Sequence, residues 1–173
     1  YLSALNSLHN SKIKSDFLLS IFKSLLLIML FTMASFSYAG TIHVSKEVIV
    51  SASPSTTWKM VGNFNYVDVW HPAVVDSKLT NDIRVLTLSD GALITEKLVS
   101  QTMGSYSYEI TETLLPVKNY QGTISVEPAP GGRTIVKWSS EFNADGVSDE
   151  EAISIISGIY SSGLGNLEKH FNQ

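Results

Sequence analysis

The chain has 173 residues, with 12 Lys and Arg against 16 Asp and Glu and no Cys, a length that suits one domain. A formal charge of −4 speaks against nucleic acid or an anionic membrane surface as a partner. Without Cys, neither a disulfide framework nor thiolate chemistry is open to it.

In chain order, Lys12, Lys14 and Lys23 form a positive stretch before the uncharged apolar run Ser24 to Phe36. Ser37 and Ala39 then stand at the −3 and −1 positions of a cleavage site before Gly40. This is the layout of a secretory signal peptide, residues 1–39. An uncleaved anchor is the alternative, but the run is short against the roughly 20 residues of a membrane span. No Met precedes Met29, which leaves open whether the start is misassigned and whether residues 1–11 are translated. Cleavage leaves residues 40–173 with 9 basic and 15 acidic residues, a net −6, and no stable membrane anchor. Export without Cys fits a bacterial periplasm, the expected location.

Residues Thr41 to Val50 alternate apolar and polar, as a half-buried strand does. Ser53-Pro54 reads as the cap and first residue of a short helix carrying Trp58, Val61 and Phe64. A second short helix is expected over Tyr66 to Val69, stopped by Pro72. From Ala73 onward the period is two. Six strands are predicted: Val74–Leu79, Ile83–Leu88, Ala92–Thr102, Ser105–Leu114, Tyr120–Val126 and Thr134–Phe142. Asn81-Asp82, Ser89-Asp90-Gly91, Met103-Gly104, Pro116 and Pro130-Gly131-Gly132 supply the breaks, and links this short make antiparallel hairpins. Ser148, with Glu151 at capping-box spacing, opens a long helix. Its apolar stripe is Ile155, Ile156, Ile159, Tyr160, Leu164, Leu167 and Phe171. The order β-α-α-β6-α predicts an α+β fold in which a seven-stranded antiparallel sheet wraps the C-terminal helix, the one element long enough to cover it. An apolar cavity is expected between them.

That order, with Trp70-His71-Pro72, Asp90-Gly91, Glu96-Lys97-Leu98, Tyr106-Ser107-Tyr108, Asn119-Tyr120, Trp138, Phe142 and Gly163-Leu164-Gly165-Asn166-Leu167, resembles the polyketide cyclase/dehydrase family of the START/Bet v 1-like superfamily, the SRPBCC proteins. The resemblance runs from about Ile42 to Phe171. It implies the helix-grip fold and a cavity for a hydrophobic small molecule or lipid, with cyclase activity in some members. Plant abscisic-acid receptors share the superfamily, but only Ser89-Asp90-Gly91 stands where their long gate would be, so hormone binding is not carried over. The layout also resembles an exported bacterial branch that includes accessory proteins of periplasmic methanol oxidation. A protein partner such as methanol dehydrogenase is what that likeness implies.

The loop Ser89-Asp90-Gly91 sets a register. With Gly91 in the left-handed position of a three-residue hairpin loop, Leu88 faces Ala92, Leu86 faces Ile94 and Arg84 faces Glu96, all on one face with Leu98. Those apolar neighbours make it the inner face. Two buried charges are costly unless paired. Arg84 and Glu96 therefore read as a structural pair, as a grip on a ligand's polar end, or as acid and base. Tyr106, Tyr108, Tyr120, Trp138 and Phe142 point inward by the same parity, as core or as cavity wall. Ile156 and Tyr160 face them from the helix, and Trp70 and His71 sit at the expected mouth. Gly158 and Gly163 are expected either to let the sheet approach the helix or to leave room beneath it. No two His have metal-ligand spacing, and no metal or cofactor is expected. Three functions compete: a non-enzymatic binder of a hydrophobic molecule, a cyclase- or dehydratase-like enzyme using Arg84 and Glu96, and an accessory protein whose acidic surface steers a basic partner.

Overall fold

Alternating burial shapes the first strand, β1 (Ile42–Val50), which turns Ile42, Val44 and Val50 inward. The computed structural model of the chain describes residues 40–173, and the predicted signal peptide lies outside the described residues. Helix α1 (Pro54–Val61) starts where expected: the Ser53 hydroxyl accepts the Thr56 N–H, and Pro54, which has no N–H to lose, takes the first turn. Helix α2 is the single turn Val67–Trp70, one residue later than predicted. Phe64 lies between the two helices rather than on the first, and is buried there.

Six strands follow: β2 (Val74–Thr80), β3 (Ile83–Leu88), β4 (Leu93–Thr102), β5 (Ser105–Glu112), β6 (Val117–Ala129) and β7 (Arg133–Ala144). They form a meander, and β1 pairs with β7, so the sheet runs β1-β7-β6-β5-β4-β3-β2 with every pairing antiparallel. Helix α3 (Asp149–Phe171) is capped by the Ser148 hydroxyl on the Glu151 N–H at 3.2 Å. It turns Ala152, Ile156, Tyr160, Leu164 and Leu167 into the sheet. A single buried cluster joins the inner face of the sheet to α3 and to the α1–α2 segment.

Strand β6 is six residues longer than the Tyr120–Val126 expected from its apolar alternation. Its first residues carry an irregularity between Lys118 and Gln121, with Asn119 at a φ of 54°. A bulge of this kind breaks the two-residue period without ending the pairing. Strand β5 stops at Glu112, and Leu114, predicted to be its last residue, is exposed.

Two glycines set the packing distances. A Cβ at Gly122 on β6 would meet the Tyr108 ring at 2.5 Å. Its absence lets that ring lie flat across β6. A Cβ at Gly163 on α3 would meet His71 at 2.5 Å, Trp70 at 2.9 Å and Trp138 at 3.1 Å. Gly163 therefore lets β7 and the corner after α2 approach α3, the first of the two roles expected of it. Gly158 is exposed and a Cβ there would meet nothing, so it takes neither role.

Candidate functional site

The β3–β4 hairpin positions the charged pair. Gly91 has a φ of 87°, its N–H reaches the Leu88 carbonyl at 2.9 Å, and the Asp90 carboxylate accepts the Ala92 N–H at 3.0 Å. The turn fixes the register, so Leu86 faces Ile94 and Arg84 faces Glu96 on the inner face. Both charged side chains are buried, Arg84 to 1% exposure and Glu96 to 4%.

Arg84 is satisfied from two sides. Its Nε–H donates to Glu96 Oε2, and its Nη1 donates to the Phe64 carbonyl. The guanidinium also lies 3.9 Å from the centre of the Phe64 ring and 5.3 Å from that of Tyr108, where the ring faces attract a cation. Burial works against both charges. On Arg84 burial is the largest single influence, but Glu96 with Tyr106 and Tyr108 together outweigh it and raise the pKa; on Glu96 burial prevails and pushes the carboxyl above its ordinary range, with Arg84 pulling back. The arginine stays protonated throughout.

Beside this pair lies a cavity of about 80 Å³ between the sheet and α3. One water needs roughly 10–15 Å³ of such space, so several waters or a small ring fit. Of the residues expected to bind a ligand, His71, Arg84, Leu86, Ile94, Glu96, Tyr108, Tyr120, Trp138, Ile156 and Tyr160 line it. Trp70, Leu98, Tyr106 and Phe142 do not: the inner face of the sheet extends past the cavity, and Trp70 lies on α2. Trp70 packs edge-on against Trp138, Tyr106 lies edge-on to Phe64 at 5.5 Å, Phe142 stacks on Tyr120, and Leu98 is only half-buried. Val67, Ala73, Val74, Leu88, Ile110, Leu115 and Ile159 complete the wall. Leu88 and Ile110 share the inward parity and Ile159 the helix stripe, so a periodicity argument reaches them. Val67, Ala73 and Leu115 sit at element ends or in loops, where no period applies. The half-buried members Ala73, Leu88, Ile110, Leu115 and Ile159 mark the side nearest solvent.

The corner after α2 is tied to α3. His71 Nδ1 accepts the Ala73 N–H at 3.2 Å, so the proton sits on Nε2, which donates to the Ile159 carbonyl at 3.0 Å. Asn166 donates to the Trp70 carbonyl at 3.0 Å. Burial lowers the His71 pKa and keeps the imidazole neutral.

The polar tips of the aromatic wall join one another. Trp138 Nε1–H donates to the Tyr108 hydroxyl at 2.9 Å, Tyr108 and Tyr120 share a hydrogen bond at 3.3 Å, and Tyr120 and Tyr160 share another. Tyr160 also stacks on Trp138, with ring centres 4.3 Å apart. Burial pushes all three phenols upward, so they stay protonated. The Tyr106 hydroxyl, the Trp70 indole N–H and the Ser140 hydroxyl are buried and make no hydrogen bond of ordinary geometry among the described residues, although Tyr106 lies near Arg84 and Ser140 near Tyr160.

Comparison with known proteins fits this arrangement. Residues 41–172 match the family model described as polyketide cyclase/dehydrase and lipid transport. None of the curated proteins matches. Among solved structures, the protein XoxI from Bacillus cereus is 36% identical over 76% of this chain and 96% of its own, with a TM-score of 0.74. An uncharacterised protein from Bacillus thuringiensis is 35% identical over 76% of this chain and 100% of its own, with a TM-score of 0.74. A START superfamily protein from Mycobacterium smegmatis, 16% identical with a TM-score of 0.65 over 78% of this chain and 99% of its own, shares the fold. With the helix-grip architecture and a family match that spans nearly every described residue, the chain belongs to the polyketide cyclase/dehydrase and lipid transport family, whose description and fold suggest binding of a hydrophobic ligand.

Proposed function

We propose that this protein binds, without transforming it, a small hydrophobic molecule or the apolar end of a longer one such as a lipid, between the sheet and α3. The composition of the cavity wall carries the reading. It is aliphatic and aromatic apart from His71 and one charged pair, and that pair is already matched within the protein. Apolar walls with a few placed polar groups are the usual make-up of a ligand site. The cavity is smaller than the roughly 300–1,000 Å³ of such sites, so a whole lipid requires the half-buried side to open, and a compact ligand does not.

The enzymatic alternative asks more of the same residues. A general acid or base must lie within hydrogen-bond reach of the substrate, whereas Arg84 and Glu96 are spent on each other and on the Phe64 carbonyl. Native mass spectrometry of the protein purified from its own host tests the binder. The expected result is a discrete mass increment that organic extraction removes and that is recovered unaltered. A ligand-free protein overturns it, as does conversion of the extracted molecule when it is returned to the purified protein.

The proposal includes work outside the cytoplasm, supported by the charged, apolar and small-residue pattern of residues 12–39. No helix among the described residues is long and apolar enough to cross a membrane. N-terminal sequencing of the protein from its host is expected to begin at Gly40. Recovery of the uncleaved chain from the cytoplasm rules this out.

A further inference from the structure

Hydrogen counting in the aromatic wall specifies the chemistry of the ligand. Trp138 contributes one indole N–H, which only donates, and Tyr108, Tyr120 and Tyr160 contribute one O–H each. These four hydrogens make three bonds: Trp138 to Tyr108, Tyr108 with Tyr120, and Tyr120 with Tyr160. Whichever way the two shared bonds point, one phenolic hydrogen is left without an acceptor. The Ser140 hydroxyl lies near Tyr160 but outside ordinary hydrogen-bond geometry, and recruiting it does not remove the surplus, because a hydroxyl that accepts one hydrogen brings another. Only an acceptor outside the chain takes that hydrogen up, and an acceptor-only group does so without adding another hydrogen that needs a partner. Glu96 is such a group, but no tyrosine donates to it among the described residues, and its bonded oxygen faces Arg84.

All three tyrosines line the cavity. A buried donor without a partner is costly, and a ligand that supplies the acceptor recovers that cost. We infer that the cavity selects a hydrophobic molecule carrying a neutral, acceptor-only oxygen, a carbonyl or ether, which takes the spare phenolic hydrogen of the Tyr108–Tyr120–Tyr160 chain. The inference rests on the binding role proposed above and adds the polar group that such a ligand presents.

The test uses two probes of nearly the same shape, cyclohexanone and methylenecyclohexane, which differ in C=O against C=CH2. Both are titrated into the protein labelled with ¹³C at tyrosine Cζ. Cyclohexanone is expected to bind about tenfold tighter, the worth of one hydrogen bond in a dry site. It also shifts a Cζ resonance of the chain that the alkene leaves in place, and its carbonyl stretch moves below its position in alkane solvent. Equal affinities with no differential Cζ shift overturn the acceptor inference and leave the binding role standing. Failure of both probes to bind overturns both. The variant carrying Tyr108→Phe, Tyr120→Phe and Tyr160→Phe together assigns the donor: it is expected to bind the alkene and lose the preference. Retention of the full preference there assigns the contact to Arg84 and sinks the inference; should the variant not fold, the wild-type Cζ shifts decide.

Discussion

Arg84 and Glu96 are held by the fold as a unit. Removing one partner strands the other charge in an apolar interior, whereas replacing both removes the cost together with the benefit. Glu96→Leu alone is expected to lower unfolding free energy by about 3–5 kcal/mol. Arg84→Met combined with Glu96→Leu is expected to recover most of that loss, within about 1 kcal/mol of wild type for a volume-conserving exchange. Urea unfolding of the two single variants and the double variant measures the coupling. Additive losses would mean that the pair does not act as a unit. The pairing was legible in the sequence because Gly91 dictates a turn, the turn dictates register, and register dictates which side chains meet. The Phe64 carbonyl and ring that complete the arginine's surroundings were not. Phe64 sits in a connection between helices, 20 residues from Arg84, and its approach is a tertiary event that no local period records.

At the scale of elements, the bounds that follow from caps and turns agree with the structure, and the bounds that follow from hydrophobic alternation alone drift. Ser53-Pro54 and Ser148 start their helices at the expected residues. Strand β6 escaped because a bulge near Asn119 interrupts its alternation. The two helix glycines show the same limit. Both cost helix propensity in sequence, and only the packing separates them. Gly158→Ala, at an exposed position with open space, is expected to stabilise the protein by up to about 1 kcal/mol. Gly163→Ala drives a methyl group into His71, Trp70 and Trp138. None of these rings is a flexible chain end, so a loss of roughly 1–3 kcal/mol is expected. Thermal unfolding of the two variants should move in opposite directions. A stabilised Gly163→Ala would show that α3 does not need its close approach to the sheet.

For the molecule as a whole, the sheet is closed over α3 by the corner after α2, and His71 is one of the two polar ties that hold that corner. The imidazole accepts from Ala73 through Nδ1 and donates to Ile159 through Nε2. A second proton on Nδ1 would oppose the Ala73 N–H and place a charge in an apolar site. Burial lowers the His71 pKa below its ordinary 6.5, and no charged neighbour contributes. In the unfolded chain the imidazole takes up its proton first. The stability His71 confers is therefore complete above about pH 6.5 and declines as the pH falls from there through the lowered folded value. Glu96 acts in the opposite sense. Its raised pKa favours the folded state most at low pH, and that contribution fades as the pH rises through the folded value. The two slopes partly cancel in the wild type, so the informative quantity is the difference between wild type and His71→Leu across pH. Wild type is expected to be the more stable at pH 7.5, with the gap closing as the pH falls below about 6.5 toward the lowered folded value. A gap that stays constant through that window would show that His71 does not titrate with unfolding. Because His71 also lines the cavity, the same window should weaken retention of a bound cyclohexanone: opening the corner exposes the half-buried residues Ala73 and Ile159, on the side through which a ligand leaves.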